Sequence, residues 1–160
     1  MGIVVFSTIL LCYNFISSYN FNHNPLSKDI LSLINQKEKQ IIYNIQKHYN
    51  VNIKVPVIIS NKMTARLYGL CTLEKNDKIS IYLNKKRFQE SSDYMINDVL
   101  PHEYAHALMF VFGKTTKTNG GHTKAWQKIC KNIGGIKCER FVDSNDILYQ
   151  KEIYFKSKSK

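Results

Sequence analysis

The chain has 160 residues, of which 44% are hydrophobic and 22% are charged, and this balance predicts one globular domain. Its four cysteines form no C-x-x-C pair and follow no regular spacing, which argues against a zinc ribbon or a disulfide-dense scaffold. The formal net charge of +11 favours anionic partners such as nucleic acid or an anionic membrane surface. The alternative is a lysine-rich surface that serves solvation only.

The amino-terminal segment is uncharged, since no Lys, Arg, Asp or Glu precedes Lys28, and residues 3–16 are mostly apolar. Extended to residue 21, the apolar run reaches the roughly 17 to 25 residues that a spanning helix needs. It lacks the basic n-region and the small cleavage-site residues of a signal peptide. We therefore expect residues 1–21 to be a hydrophobic anchor or signal-like segment, and the chain to be membrane-anchored or exported. The alternative is a peripheral or buried helix of a cytoplasmic protein.

Three further regions follow this segment. Residues 22–27 are Asn-rich, contain a proline and end in Ser27, which predicts a linker that closes with a helix N-cap. We expect residues 28–150 to form the folded domain and residues 151–160 to form a basic flexible tail. The first element of that domain is an amphipathic helix over residues 30–49, because apolar residues recur there at helical spacing.

Strands are predicted next. Residues 51–60 are rich in β-branched side chains, and Pro56 within them indicates a sheet edge or a strand end. Residues 78–83 alternate between apolar and polar, and turn-forming residues 74–77 precede them. We expect residues 63–73 to be the hairpin partner of that strand.

Two helices close the domain. A helical pattern spans residues 94–112, and a second apolar stripe runs from residue 122 to residue 133, where Gly134 and Gly135 end it. The loop between them, residues 114–121, is polar. Pro101 either starts the first of these helices or kinks it, because proline lacks a backbone N–H and clashes with the preceding turn.

The first of these helices carries the motif His-Glu-x-x-His at residues 102–106. His102 and His106 are four residues apart, so their rings project from the same helix face and can hold one ion, with Glu103 beside it. Catalytic zinc takes three protein ligands and leaves a fourth position to water. His122 starts the next apolar stripe and is the third ligand that the spacing predicts.

This ligand set predicts hydrolytic chemistry. One Zn²⁺ ion bound by His102, His106 and His122 would lower the pKa of its water to about 7 and polarise a scissile carbonyl. Glu103 would act as the general base and pass the proton to the leaving amine. The sequence thus predicts a zinc-dependent peptidase of the endopeptidase type, with a protein or peptide as its substrate.

Residues 99–106, Val-Leu-Pro-His-Glu-Tyr-Ala-His, and residues 121–126, Gly-His-Thr-Lys-Ala-Trp, resemble SprT-like metallopeptidases. The likeness extends upstream to residues 63–69 and 79–84. It implies an α+β, zincin-like domain in which a small, mostly antiparallel sheet packs on an N-terminal helix, the HExxH helix and a following ligand-bearing helix. By the same resemblance, strand 78–83 would lie near the cleft and could bind an extended substrate by strand addition.

Two departures from that family, the missing zinc ribbon and the apolar amino terminus, leave alternatives open. Bacterial members usually add a C-terminal zinc ribbon, but no cysteine follows Cys138 in this chain. The Spartan-type relatives act on DNA–protein crosslinks, so one alternative is a cytoplasmic DNA-associated protease that acts on DNA-bound proteins. Another is a non-catalytic, zinc-stabilised binding module. Whether Cys130 and Cys138 form a disulfide, and which oligomer the chain forms, stays open.

Overall fold

The computed structural model describes residues 2–114 and 121–140, so the predicted basic tail and the end of the predicted domain lie outside the described residues. The fold is α+β. Along the chain it contains α1 (Gly2–His23), α2 (Lys28–Tyr49), β1 (Val57–Ser60), β2 (Gly69–Leu73), β3 (Ile79–Asn84), α3 (Lys85–Glu90), α4 (Ser92–Tyr94), a π-helical turn (Met95–Val99), α5 (Leu100–Val111) and α6 (Lys124–Asn132).

Helix α1 has 22 residues, and most of its large apolar side chains are exposed. Polar residues interrupt its apolar sequence, among them Ser17, Ser18 and Asn20. Such side chains oppose transfer into the hydrocarbon core of a bilayer. In the part of the chain that the structure describes, no helix is long and apolar enough to cross a membrane. The predicted membrane-anchored or exported location is therefore wrong.

Lys85, the first residue of α3, holds the carboxyl end of α1. Its buried Nζ atom donates hydrogen bonds to the carbonyl oxygens of Asn22, at 3.0 Å, and Asn24. It also lies 5.3 Å from the centre of the Phe21 ring. Carbonyl groups at the end of a helix lack intrahelical partners and attract a cation. Lys85 therefore ties α1 to the sheet.

Helix α2 confirms the predicted amphipathic helix. The hydroxyl of Ser27 accepts the N–H of Ile30 at 3.3 Å, as the predicted N-cap requires. The helix ends at Asn50, whose φ of 52° turns the chain and whose N–H bonds to the carbonyl of Gln46. Its buried side chains form one stripe that faces the core: Ile34, Glu38, Ile41 and Ile45.

The three strands form one sheet in the order β1–β3–β2. Strands β2 and β3 pair as the predicted antiparallel hairpin, and Asp77 in its turn has a φ of 61°. Strand β1 pairs with β3 in parallel, and β3 lies between the other two strands. The sheet is therefore mixed, whereas the expectation was a mostly antiparallel one. Strand β1 is an edge strand and starts directly after Pro56, as that proline predicts.

A π-helical turn leads into α5, within the helical pattern over residues 94–112 that Pro101 was expected either to start or to kink. Pro101, the second residue of α5, cannot donate to the preceding turn, and its ring would clash with a carbonyl there. The π-helical turn widens the spiral at this place, and the N–H of Leu100 bonds to the carbonyl of Met95. The motif-bearing part of the helix, from Pro101 on, is regular.

Tyr104 fixes the orientation of α5 against the core. Its side chain is fully buried, and its hydroxyl group donates to Oε1 of Glu38 on α2 at 2.6 Å. The carbonyl oxygen of Val55 lies 3.3 Å from the same hydroxyl. Because Tyr104 lies between the two motif histidines in sequence, this buried contact sets the rotation of the helix and hence the direction of both rings.

A disulfide bond joins Cys130, near the end of α6, to Cys138. The turn it closes passes through Gly134, whose φ is 99°, and through Gly135, where an added Cβ would lie 2.6 Å from the Sγ atom of Cys130. Glycine is thus required twice, once for the backbone conformation and once for space. The pairing that the sequence left open is present in the structure.

Candidate metal centre

Three histidine rings meet between α5 and the start of α6. The Nε2 atoms of His102 and His106 are 3.3 Å apart, those of His106 and His122 are 3.2 Å apart, and those of His122 and His102 are 2.9 Å apart. All three side chains are half-buried. The structure thus brings together the three residues that the sequence analysis selected as ligands.

Local backbone structure directs each ring. His102 and His106 are separated by about one turn of α5 and project from the same face. His122 precedes Thr123, the N-cap of α6, whose hydroxyl accepts the N–H of Trp126 at 3.2 Å. The helix was expected to begin at His122, but the threonine cap delays its start to Lys124. His122 therefore lies ahead of the helix, with its ring directed at α5.

The arrangement fits one metal ion. Three nitrogens bound to a tetrahedral zinc ion at about 2.0–2.1 Å would lie about 3.3 Å from one another. The observed separations of 2.9–3.3 Å are close to that value. Imidazole nitrogen also suits copper, nickel and iron, so the donor atoms by themselves do not identify the metal.

Burial keeps two of the rings neutral. Desolvation, followed by the charges of His106 and His122, lowers the pKa of His102 to about 3. Desolvation, followed by the charge of His122, lowers the pKa of His106 to about 4. At neutral pH both rings are therefore unprotonated, as metal ligands must be.

Trp126 packs behind all three histidines. The centre of its indole lies 4.6 Å from the rings of His102 and His122 and 5.3 Å from the ring of His106. Its side chain is 1% exposed. The indole therefore excludes water from the rear of the site and limits the rotation of the rings. Sequence analysis placed Trp126 on the apolar stripe of α6 but did not predict this contact.

Glu103 follows the first ligand on α5, and its side chain reaches strand β2. It is 6% exposed, and its carboxylate accepts the backbone N–H of Cys71. Burial raises the pKa of Glu103 to about 8, and the Cys71 hydrogen bond opposes part of that rise. A carboxyl group with a pKa near neutrality can both accept and return a proton at working pH.

The expectation that strand 78–83 adds a substrate strand is wrong. That strand is β3, and it is hydrogen-bonded to β1 on one side and to β2 on the other. It therefore has no unpaired edge to which a substrate strand could bind. Strand β2 is the edge strand that lies against α5 and Glu103. Strand order depends on how the hairpin docks on β1, which the alternation of residues along a strand does not encode.

With this geometry in place, comparison with known proteins assigns the family. The family model described as the SprT-like family matches residues 34–146. The chain belongs to the SprT-like family. The match includes all three histidines and Glu103, and it confirms the resemblance that the motif segments indicated.

Among curated proteins, this SprT-like chain is similar to Protein SprT of three bacteria. It is 26% identical over 109 residues to that of Glaesserella parasuis, covering 68% of this chain and 65% of the relative. It is 27% identical over 104 residues to that of Vibrio atlanticus, covering 64% and 58%. For Actinobacillus succinogenes the values are 25% over 109 residues, 68% and 59%. The chain thus spans less than two thirds of the length of these relatives. No solved structure matches the chain.

Proposed function

We propose that this chain is a zinc-dependent peptidase with a zincin-like fold. His102, His106 and His122 hold the ion, and Glu103 is the general base. The observation that carries the proposal is the convergence of three imidazole nitrogens within 3.3 Å of one another beside Glu103, a buried carboxyl group on α5. Membership of the SprT-like family supports it.

A zinc ion held by the three histidines would supply Lewis acidity, which polarises a peptide carbonyl and makes water acidic enough to lose a proton near neutral pH. Glu103 accepts that proton on its carboxylate and delivers it to the leaving amine. Trp126 shields the rear of the site from water, which strengthens the electrostatic interactions inside it. The substrate is a protein or peptide.

The test is Glu103→Gln. Glutamine keeps the size of the side chain but cannot accept the proton, so we expect hydrolysis of an unfolded protein such as casein to fall by at least about 100-fold. The zinc affinity, measured by competition with a chromophoric chelator, should stay within about threefold, because the three ligands are untouched.

Glu74→Gln is the matched control, since Glu74 lies exposed in the hairpin turn. It removes the same charge and should leave both the rate and the zinc affinity unchanged. Full activity in the Glu103 variant would refute the mechanism. A wild-type chain that binds zinc and cleaves nothing would instead favour a zinc-stabilised binding module.

A second candidate is a nucleic-acid-associated peptidase, which one surface feature favours. Lys124, Lys128 and Lys131 lie on the exposed side of α6, and this helix contains no acidic residue. The row starts two residues after His122, so a bound polyanion would lie beside the metal centre. Phosphate groups attract such rows of lysines and release counterions on binding.

Replacing the three α6 lysines by glutamine should weaken DNA binding and reduce the slope of log K against log salt by about 2 to 3. The control removes the same charge from the exposed face of α2, at Lys28, Lys39 and Lys47. Equal effects of the two triple variants would show that DNA binding depends on the net charge of the chain and not on the lysines of α6. Absence of DNA retention at low salt would exclude this candidate.

A further inference from the structure

Position 69 requires glycine because the side chain of Glu103 leaves no room there for a Cβ atom, and not because of the backbone conformation. Gly69, the first residue of β2, is not among the described glycines with positive φ, so its backbone suits any residue. A Cβ atom built on it would lie 2.5 Å from Oε1 of Glu103, 2.7 Å from its Cγ and 2.9 Å from its Cδ. These separations are far below van der Waals contact. Any other side chain at this position would displace Glu103.

The same strand, β2, also donates a backbone hydrogen bond to the carboxylate of Glu103. Tyr68 accepts the backbone N–H of Asn84, and Glu74 donates its N–H to Lys78, directly before β3. Along an antiparallel strand every second residue directs its backbone N–H and C=O toward the same neighbour, so the even-numbered residues of β2 face β3. Cys71 has the opposite parity, so its N–H is directed away from β3. It donates to the carboxylate of Glu103 instead of to a strand.

We propose that Gly69 and the backbone N–H of Cys71 form a seat on β2 that positions Glu103 for proton transfer. Gly69 leaves the space in which the side chain lies, and the N–H orients one of its oxygens. Gly69 is thus a positioning residue that acts through Glu103. This inference rests on the proposed role of Glu103 as general base.

The test compares Gly69→Ala with Leu70→Ala. We expect Gly69→Ala to lower kcat at least tenfold, with KM and zinc affinity within about threefold of the wild-type values. Leu70 is 43% exposed, and its replacement by alanine adds no atom near Glu103, so Leu70→Ala should leave kcat unchanged.

A double mutant separates positioning from damage to the fold. If Gly69 acts through Glu103, Gly69→Ala should not lower the residual rate of Glu103→Gln any further. A lesion of the fold would instead lower that rate by the same factor as in the wild-type chain. Multiplied losses, or an unchanged kcat in Gly69→Ala, would overturn the proposal.

A second readout does not need peptide cleavage and therefore distinguishes this proposal from the proposed function. Cys71 lies on the side of β2 that bears no strand among the described residues, and its hydrogen bond to Glu103 should protect its amide from hydrogen exchange. By NMR, its exchange should become at least tenfold faster in Gly69→Ala and in Glu103→Ala, and stay unchanged in Leu70→Ala. If the wild-type chain cleaves nothing but these rates change as expected, the peptidase assignment fails and the seat stands. Unchanged exchange in Gly69→Ala would refute the seat itself.

Discussion

Trp126 shows at the scale of one residue how the metal centre depends on a side chain that binds no ion. The indole contacts all three histidine rings and is almost completely buried. Its Nε1 atom is buried as well and has no hydrogen-bond partner among the described residues. An unpaired buried N–H costs free energy, so the shape of the ring, and not its hydrogen-bonding capacity, accounts for its place.

Trp126→Ala should lower the free energy of unfolding by about 3–5 kcal/mol, because it opens a large cavity in the core. It should also weaken zinc binding at least tenfold, since the three histidine rings lose the indole against which they pack. Trp126→Phe keeps an aromatic ring and removes the unpaired N–H. Its loss of unfolding free energy should therefore be less than half of that in Trp126→Ala. Urea unfolding and chelator competition measure the two effects.

The wild-type chain offers its own probe, because Trp126 is its single tryptophan. Its fluorescence should change on titration with zinc and be quenched by cobalt(II) bound at the same site. Equal stabilities of the alanine and phenylalanine variants, or a fluorescence that ignores bound cobalt, would contradict the packing of the indole against the three rings.

At the scale of elements, the π-helical turn before α5 carries a buried acid. Oδ1 of Asp98 accepts the backbone N–H of Lys137 at 3.0 Å, while its buried Oδ2 has no partner among the described residues. Burial raises the pKa of Asp98, against opposing effects of the Lys137 hydrogen bond and of the Lys37 charge, and the charge of Asp93 adds to the rise. The contact that joins the last described segment to the π-helical turn before α5 therefore carries a desolvation cost.

The raised pKa of Asp98 determines the direction in which the free energy of unfolding changes with pH. A carboxyl group that binds its proton more tightly in the folded state stabilises the fold at pH values below its ordinary pKa of 3.8. That contribution is lost as the pH rises from 3.8 through the raised value. Asp98→Asn keeps an acceptor for Lys137 but does not titrate. The unfolding free energy of the wild-type chain minus that of the variant should therefore fall as the pH rises from about 4 to 7, as followed by urea unfolding.

Asp29→Asn is the control, because Asp29 is exposed in the first turn of α2. It changes the net charge equally and should not reproduce the trend. A stability difference between the wild-type chain and Asp98→Asn that grows with pH would show that the fold stabilises the carboxylate and lowers the pKa of Asp98 instead of raising it.

For the whole molecule, the turn closed by the disulfide connects distant parts of the chain. Lys37 on α2 donates to the carbonyl of Gly134 at 3.0 Å, and Lys137 donates its N–H to Asp98. The disulfide between Cys130 and Cys138 holds the turn against α6. The first helix of the domain, the entry to the motif helix and the end of α6 are therefore linked through one short segment.

Reduction of this disulfide should lower the free energy of unfolding by about 2–3 kcal/mol, because the sequence separation of eight sets the loop entropy that the bond removes from the unfolded chain. Urea unfolding with and without dithiothreitol measures it. In the double variant Cys130→Ser, Cys138→Ser the reductant should have no further effect. Equal unfolding midpoints of the wild-type chain in the two conditions would contradict the prediction.

Much of the metal centre was predictable because it is encoded locally. The helical repeat places His102 and His106 on one face whatever surrounds them. Elsewhere in the fold, Ser27, Pro56 and Gly134 each determine the conformation of the backbone adjacent to themselves, so their effects were predictable as well. The third ligand, His122, followed from its place at the start of an apolar stripe. Helix α3 was missed, since six residues are too few to show a helical repeat.

The sequence alone determined the family, the α+β class, the hairpin and the identity of the three histidines, because these depend on local patterns of a few neighbouring residues. Only the tertiary structure decided that β2 and not β3 forms the edge beside Glu103, and that Gly69 and Trp126 enclose the site. These features arise from contacts between residues far apart in the chain, and no repeat along the sequence records such contacts.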